Sequence, residues 1–198
     1  MPLASGDFLA PHFTARELGA DQPSASPGIV ANLSRVAQWL EAARAILGVP
    51  LDVTNGYRTP AHNAAVGGSA TSDHPNGLAA DFIPRGLSLR ESYDRLHQAA
   101  TDGQLPPFDQ LILYPIQGHI HVGLGSRMRR EWRINLYEGA GGTPLLTSDL
   151  VRRLPGAVAS VAVDAAVQAA AAVSGVASLA LPWVFALGAA LILFILAI

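Results

Sequence analysis

The chain has 198 residues, enough for one domain of ordinary size and a tail. Its 13 basic residues are all arginines, they face 15 acidic residues, and no basic block points to nucleic-acid binding. The absence of cysteine excludes disulfides and thiolate metal sites, which leaves histidine and carboxylate as the strong metal ligands. The first residues lack a basic segment followed by a long apolar one, so no cleavable signal peptide is predicted.

The N-terminal elements are predicted to be an extended segment, two helices and a short strand. Residues 8–13 are expected to be extended. A capping box formed by Thr14 and Glu17 predicts the start of a short helix. A longer helix is predicted over Pro27–Leu47, because apolar residues recur on one helical face and a glycine follows its end. Residues 51–54 are predicted to be a strand.

The second half of the domain alternates one helix with several strands. A capping box predicts a helix that begins at Ser88 and stops near Gly103. Strands are predicted over Phe108–Tyr114 and His119–Val122, paired as a hairpin, and Trp132–Tyr137 is a candidate for another strand. Since helices precede and interrupt antiparallel strands, the predicted fold class is α+β, with a small antiparallel sheet flanked by helices.

A composition change divides the chain into three parts. We predict a domain over residues 1–138, a Gly-rich linker and basic flank over 139–156, and a hydrophobic helical tail over 157–198. Residues 179–198 are long and apolar enough to cross roughly 30 Å of hydrocarbon, so they are a predicted transmembrane segment. The alternative is a buried pair of helices in a soluble protein.

The main functional signal lies in residues 72–81, which read S-D-H-P-N-G-L-A-A-D, and in a later H-I-H. On a helix His74 and Asp81 would lie two turns apart, too far to share one metal ion, but they can meet where a turn enters a strand. His119 and His121 alternate along a second strand, so their side chains point to one face. Two histidines, one carboxylate and an open fourth position are typical of catalytic zinc.

These residues resemble the zinc D-Ala-D-Ala carboxypeptidase and murein endopeptidase family, whose domain is shared with Hedgehog-type signalling domains. The family pattern is S-x-H-x-x-G-x-A-x-D followed later by x-x-H, and the resemblance covers roughly residues 8–130. It implies that His74, Asp81 and His121 bind Zn²⁺. It also implies a Hedgehog/DD-peptidase-like fold and a zinc metallopeptidase that cleaves D-Ala-containing peptides of peptidoglycan.

The resemblance suggests further roles at the site. Many relatives carry an acidic general base three residues before the last zinc histidine, but this chain has Gly118 there. Penicillin-insensitive murein endopeptidases share the H-x-H pattern, so His119 is predicted to be the base or a transition-state stabiliser; packing beside the site is the alternative. Arg58 is predicted to neutralise the oxyanion or hold a substrate carboxylate. Ser72 is predicted to bind substrate or support a turn, and Gln110 to bind substrate or orient a ligand.

Several choices stay open at this stage. The peptidase could be a carboxypeptidase that removes terminal D-alanine or an endopeptidase that cuts cross-links. Alternatives are a non-catalytic metal-binding module for the cell wall, favoured by Gly118, and a structural membrane or virion protein with a vestigial peptidase domain. Four arginines late in the domain are most simply a solvated face, although they could attract an anionic cell-wall polymer: Arg127, Arg129, Arg130 and Arg133.

The predicted partners are peptidoglycan peptides and a membrane, the latter through the C-terminal helix. Arg152 and Arg153 precede the tail, so the positive-inside rule predicts a cytoplasmic domain, whereas peptidoglycan lies on the other side. The sequence therefore favours a membrane-associated protein in the cell envelope or in a bacteriophage virion, delivered from outside or released at lysis.

Overall fold

The computed structural model describes residues 3–134, apart from 116, 128 and 129. The predicted linker and tail lie outside the described residues. A short 3₁₀ turn covers His74–Asn76. The remaining described elements are, in chain order, β1 (Phe8–Ala10), β2 (Phe13–Thr14), α1 (Ala15–Leu18), α2 (Pro27–Leu47), β3 (Leu51–Asn55), α3 (Pro60–Ala65), β4 (Ala79–Pro84), α4 (Leu89–Thr101), β5 (Gln110–Tyr114), β6 (His119–Gly123) and β7 (Glu131–Ile134).

Local capping explains where the helices begin. Thr14 and Glu17 form the predicted capping box of α1, with both reciprocal hydrogen bonds present. At α4 the Ser88 hydroxyl accepts a hydrogen bond from the Glu91 amide, while the Glu91 carboxylate accepts one from Arg95. The helix α3 was not predicted, although the Thr59-Pro60 pair that caps its first turn is a recognisable start signal.

The helix α2 has the predicted bounds and packs its apolar face against the rest of the core. Leu33, Leu40 and Ala43 on that face are fully buried. Trp39 lies on the same helix, where its ring packs near Phe82 and Phe108. The Trp39 indole nitrogen donates a hydrogen bond to the Pro106 carbonyl, so this large side chain is buried with its polar atom satisfied.

The main sheet has five described strands in the order β3-β4-β6-β5-β7. The predicted hairpin is confirmed, since β5 and β6 pair antiparallel. The prediction of an antiparallel sheet is correct only in part, because β7 pairs parallel with β5 and makes the sheet mixed. β1 and β2 form a separate antiparallel pair.

The two faces of the main sheet differ because side chains alternate along each strand. Phe82, Leu111 and Ile120 point to the buried face and belong to the core with α2. Their neighbours Asp81 and His121 point to the opposite face, which lines a cleft. Among the described residues no helix is long and apolar enough to span a membrane, and the predicted segment 179–198 is not one of them.

Candidate metal centre and active-site cleft

The two central strands and the turn before them bring three predicted metal ligands together. Asp81 on β4 and His121 on β6 are direct cross-strand partners, so their side chains leave the sheet side by side. His74 belongs to the 3₁₀ turn that precedes β4. One ligand atom from each of the three side chains lies within 4.8 Å of the others.

Hydrogen bonds fix which atoms face the shared point. The His74 Nδ1 lies 2.6 Å from the Gly56 carbonyl oxygen, which can only accept, so Nδ1 carries the proton and Nε2 is left as the donor to a metal. That Nε2 lies 3.3 Å from Asp81 Oδ1. The His121 Nδ1 lies 2.7 Å from the same Asp81 oxygen. The arrangement therefore directs two imidazole nitrogens and one carboxylate oxygen at one position.

This donor set fits zinc. Tetrahedral zinc with bonds of about 2.0–2.1 Å keeps neighbouring ligand atoms about 3.3 Å apart, which is the separation between His74 and Asp81. The closer approach of His121 to Asp81 would have to widen. Burial opposes ionisation of Asp81, but the hydrogen bond to His121 holds the pKa of its carboxyl group well below the usual range. The Asp81 side chain is therefore ionised, as a metal ligand must be.

Arg58 supports the metal-ligand carboxylate from the other side. Its Nη2 donates a hydrogen bond of 2.6 Å to Asp81 Oδ2, the oxygen that does not face the histidines. Its Nε lies 3.4 Å from Asn55 Oδ1. The guanidinium also lines the cleft, while its predicted contact with an oxyanion or a substrate carboxylate stays a prediction.

A close approach between α1 and the site loop positions the Gly56 carbonyl. A Cβ at Gly56 would lie only 2.3 Å from the Leu18 carbonyl oxygen, so any larger side chain would push the loop away. The Tyr57 amide donates a hydrogen bond of 2.8 Å to that same Leu18 oxygen. The end of α1 therefore holds the Gly56–Tyr57 peptide group, whose carbonyl orients His74.

His119 lies beside the three ligands without joining them. Its Nε2 is 3.7 Å from Asp81 Oδ1, too far for a hydrogen bond. Its ring stacks on Tyr114, with centroids 4.9 Å apart, and is hydrogen-bonded to the backbone of Gln117. Burial lowers the pKa of His119 from its ordinary value, although the nearby Asp81 charge opposes the shift.

The backbone explains why the acid of many relatives is missing at Gly118. Gly118 has φ +77° in the turn between β5 and β6, and its amide donates to the Tyr114 carbonyl. A Glu or Asp in this left-handed conformation would be strained. The turn that aligns His119 with Tyr114 therefore favours glycine at this position.

The two predicted substrate-binding residues also line the cleft but already make internal contacts. The Ser72 hydroxyl accepts a hydrogen bond from the His74 amide at 3.3 Å, so it supports the turn that carries this ligand. The Gln110 side chain donates to Glu131 Oε2 at 2.8 Å, which directs it towards β7. Contact of either side chain with substrate stays a prediction.

The cleft also contains residues that sequence reasoning did not place there. It has a volume of about 570 Å³, and Tyr114, Arg127, Glu131 and Arg133 are among its lining residues. Arg127 and Arg133 were predicted to lie on a solvated face; both side chains are more than one-third exposed, and the structure adds that they line the cleft. Period-two alternation around Trp132 was the missed signal, because it places Glu131 and Arg133 on one face of a strand and the indole on the other.

Comparisons with known proteins agree with this geometry. The family model described as peptidase M15 matches residues 11–123, more than half of the chain. The matched region includes the three candidate ligands, Arg58 and His119. A search of curated proteins finds no match.

Proposed function

Since the chain belongs to the peptidase M15 family, the family of zinc D-Ala-D-Ala carboxypeptidases, we propose that it cleaves D-Ala-containing stem or cross-link peptides of peptidoglycan. Peptidases of this family are zinc-dependent, and His74, Asp81 and His121 form a group able to hold the ion. One observation carries the proposal: the converging ligand atoms line an open cleft, where a peptide carbonyl can reach the fourth coordination position.

The contacts around the metal centre suit it to peptide hydrolysis. Bound zinc supplies Lewis acidity, which polarises the scissile carbonyl and lowers the pKa of a coordinated water. His74 and Asp81 are held in orientation by the Gly56 carbonyl and by Arg58. Because these side chains are already oriented, little free energy is needed to rearrange them during the reaction.

His119 is the side chain we assign to proton transfer. Its ring lies at the edge of the metal centre, and its stacking on Tyr114 and its bond to the Gln117 backbone fix the direction of its nitrogens. Arg58 would stabilise the negative charge that develops on the carbonyl oxygen, because its guanidinium lies beside the metal ligands in the cleft. Ser72 and Gln110 would contact the peptide from the cleft wall.

The direct test combines metal analysis with digestion of purified peptidoglycan. The zinc-loaded chain is expected to release new amino groups, a chelator should abolish the release, and added zinc should restore it. Mass analysis of the products distinguishes loss of single D-alanine from opening of cross-links. Undigested wall in the presence of a fully loaded metal site would contradict the proposal.

A second candidate is a binding module that holds zinc without hydrolysis. Gly118 favours it, because the position of the usual acidic base carries no side chain. Such a protein would sediment with purified wall in a zinc-dependent manner and release no amino groups.

The proposed location is a membrane of the cell envelope or of a bacteriophage virion, with residues 179–198 as the anchor. Support comes from the apolar composition of that segment. Protease added to intact cells tests how the domain reaches the wall. Digestion of the domain while a cytoplasmic marker survives would show ordinary export and contradict delivery from outside.

A further inference from the structure

One row of side chains crosses the cleft face of the sheet from the metal centre to β7. His121 pairs with Asp81 on one side and with Ile112 on the other, and Ile112 pairs with Arg133. Partners in register point to the same face, and all four residues line the cleft. Adjacent strands lie about 4.8 Å apart, so the Arg133 backbone is about 10 Å from that of His121.

The guanidinium of Arg133 retains hydrogen-bonding capacity. Its Nε is buried and has no hydrogen-bond partner within the part of the chain that the structure describes. Its Nη1 lies 3.5 Å from Glu131 Oε1, a loose contact. Glu131 also contacts a second side chain, since its Oε2 accepts a 2.8 Å hydrogen bond from Gln110. More than one-third of the side chain is exposed, so a ligand in the cleft can reach its atoms other than the buried Nε.

Arg58 is less suited to hold a substrate carboxylate. Its Nη2 and Nε already face Asp81 and Asn55. Asp81 is almost completely buried, so releasing this pair would leave a buried charge without its cation. The Arg133 guanidinium can bind an anion without leaving a buried carboxylate unpaired.

We propose that Arg133 binds the terminal carboxylate of the substrate. This proposal rests on the proposed peptidase function and adds a substrate class to it. A residue adds about 3.8 Å to a peptide chain, so a carbonyl at the metal centre places the carboxylate of the leaving residue over Ile112. An arginine side chain from the next strand is long enough to meet it there with paired N–H donors. The substrate class is therefore a peptide that ends one residue beyond the cleaved bond, as a carboxypeptidase requires.

Binding of an uncleavable ligand tests the proposal without depending on hydrolysis. The probe is N-acetyl-D-Ala-D-Ala with a ketomethylene group in place of the scissile amide, prepared as the free acid and as the terminal carboxamide. Calorimetry with the zinc-loaded full chain should show that the acid binds about tenfold or more tightly than the carboxamide. Arg133→Gln should abolish this preference and leave carboxamide affinity unchanged, and Arg133→Lys should retain part of it.

Arg130→Gln is the matched control, because Arg130 is exposed, precedes the same strand and is not among the cleft residues. It should keep the parent preference. Equal affinity of the parent for both ligands, survival of the preference in Arg133→Gln, or an equal loss for both ligands in that variant would overturn the proposal. Failure of the peptidase proposal gives a different result. The chain would still bind the free acid more tightly than the carboxamide but would release no amino groups from the wall.

Discussion

At the scale of single residues, the metal centre depends on side chains that cannot replace one another. His74→Ala and His121→Ala each remove one imidazole from a set of three protein ligands. We expect zinc to fall from about one ion per chain to near none, with a lower melting temperature, because the cluster stabilises the site only when it holds the ion. Elemental analysis of the dialysed protein and thermal unfolding measure both effects.

His62→Ala is the control for the zinc prediction. His62 is exposed on α3 and lies outside the ligand group, so this variant should keep its zinc. Full occupancy in both His74→Ala and His121→Ala would remove the basis for the assigned ligand set.

The role of His119 is separable from metal binding. His119→Ala should keep zinc, since its Nε2 lies farther from Asp81 than either ligand nitrogen, but should lower kcat for peptide hydrolysis about 10²-fold or more. His119→Gln should not restore the rate, because an amide cannot take up the proton. Hydrolysis at the parent rate by His119→Ala would place the base elsewhere.

The three candidate ligands were predictable because residues 72–81 resemble the pattern of a known family. The family model matches this region, and the structure brings one ligand atom from each of the three side chains together. Contacts made through the backbone were not predictable. The Gly56 carbonyl orients His74 only because the loop touches Leu18, and these positions are far apart in sequence. The position of Arg133 in the cleft was not predicted, because the strand was expected to begin at Trp132. A strand that begins at Glu131 shows that Glu131 and Arg133 share one face.

At the scale of elements, the turn between β5 and β6 constrains which base the enzyme can use. Gly118→Glu restores the acid of many relatives but places it at φ +77°, so we expect the free energy of unfolding to fall by about 1–2 kcal/mol. Gly118→Ala should cost a similar amount, because the strain is in the backbone. Urea unfolding of the zinc-loaded proteins measures both changes.

Gly6→Ala is the control for the turn, since Gly6 has no atom within 4 Å of an added Cβ and no positive φ. Its effect should stay within about 0.5 kcal/mol. A Gly118→Glu variant as stable as the parent would show that the turn does not exclude the acid.

Elements with strong local signals were predicted well. The capping box of α1 and the bounds of α2 follow from residues adjacent in sequence. The direction of β7 was not predictable, because parallel pairing with β5 depends on the path of the chain through residues 124–130 and not on the composition of the strand.

At the scale of the whole molecule, the predicted domain boundary is the Gly-rich linker and basic flank over residues 139–156, and the three candidate metal ligands all come before it. A chain cut after Arg153 should therefore remain soluble, bind one zinc and hydrolyse peptide at the parent rate. Size-exclusion chromatography, metal analysis and kinetics check this. Aggregation or lost zinc in the shortened chain would show that the tail belongs to the domain, as the alternative of buried helices requires.

The order of the strands places the metal ligands and the proposed carboxylate-binding residue in different parts of the sheet. The ligands Asp81 and His121 sit on β4 and β6, which have neighbours on both sides, whereas β7 is the outermost strand of the described sheet. Substitutions on an inner strand disturb pairing on two sides, so changes next to Asp81 or His121 are expected to destabilise the sheet as well as the metal centre. An outer strand tolerates variation in sequence and length. With Arg133 as the proposed carboxylate-binding residue, substitutions at residues 131–134 are expected to change substrate preference and to leave the metal ligands on the inner strands in place.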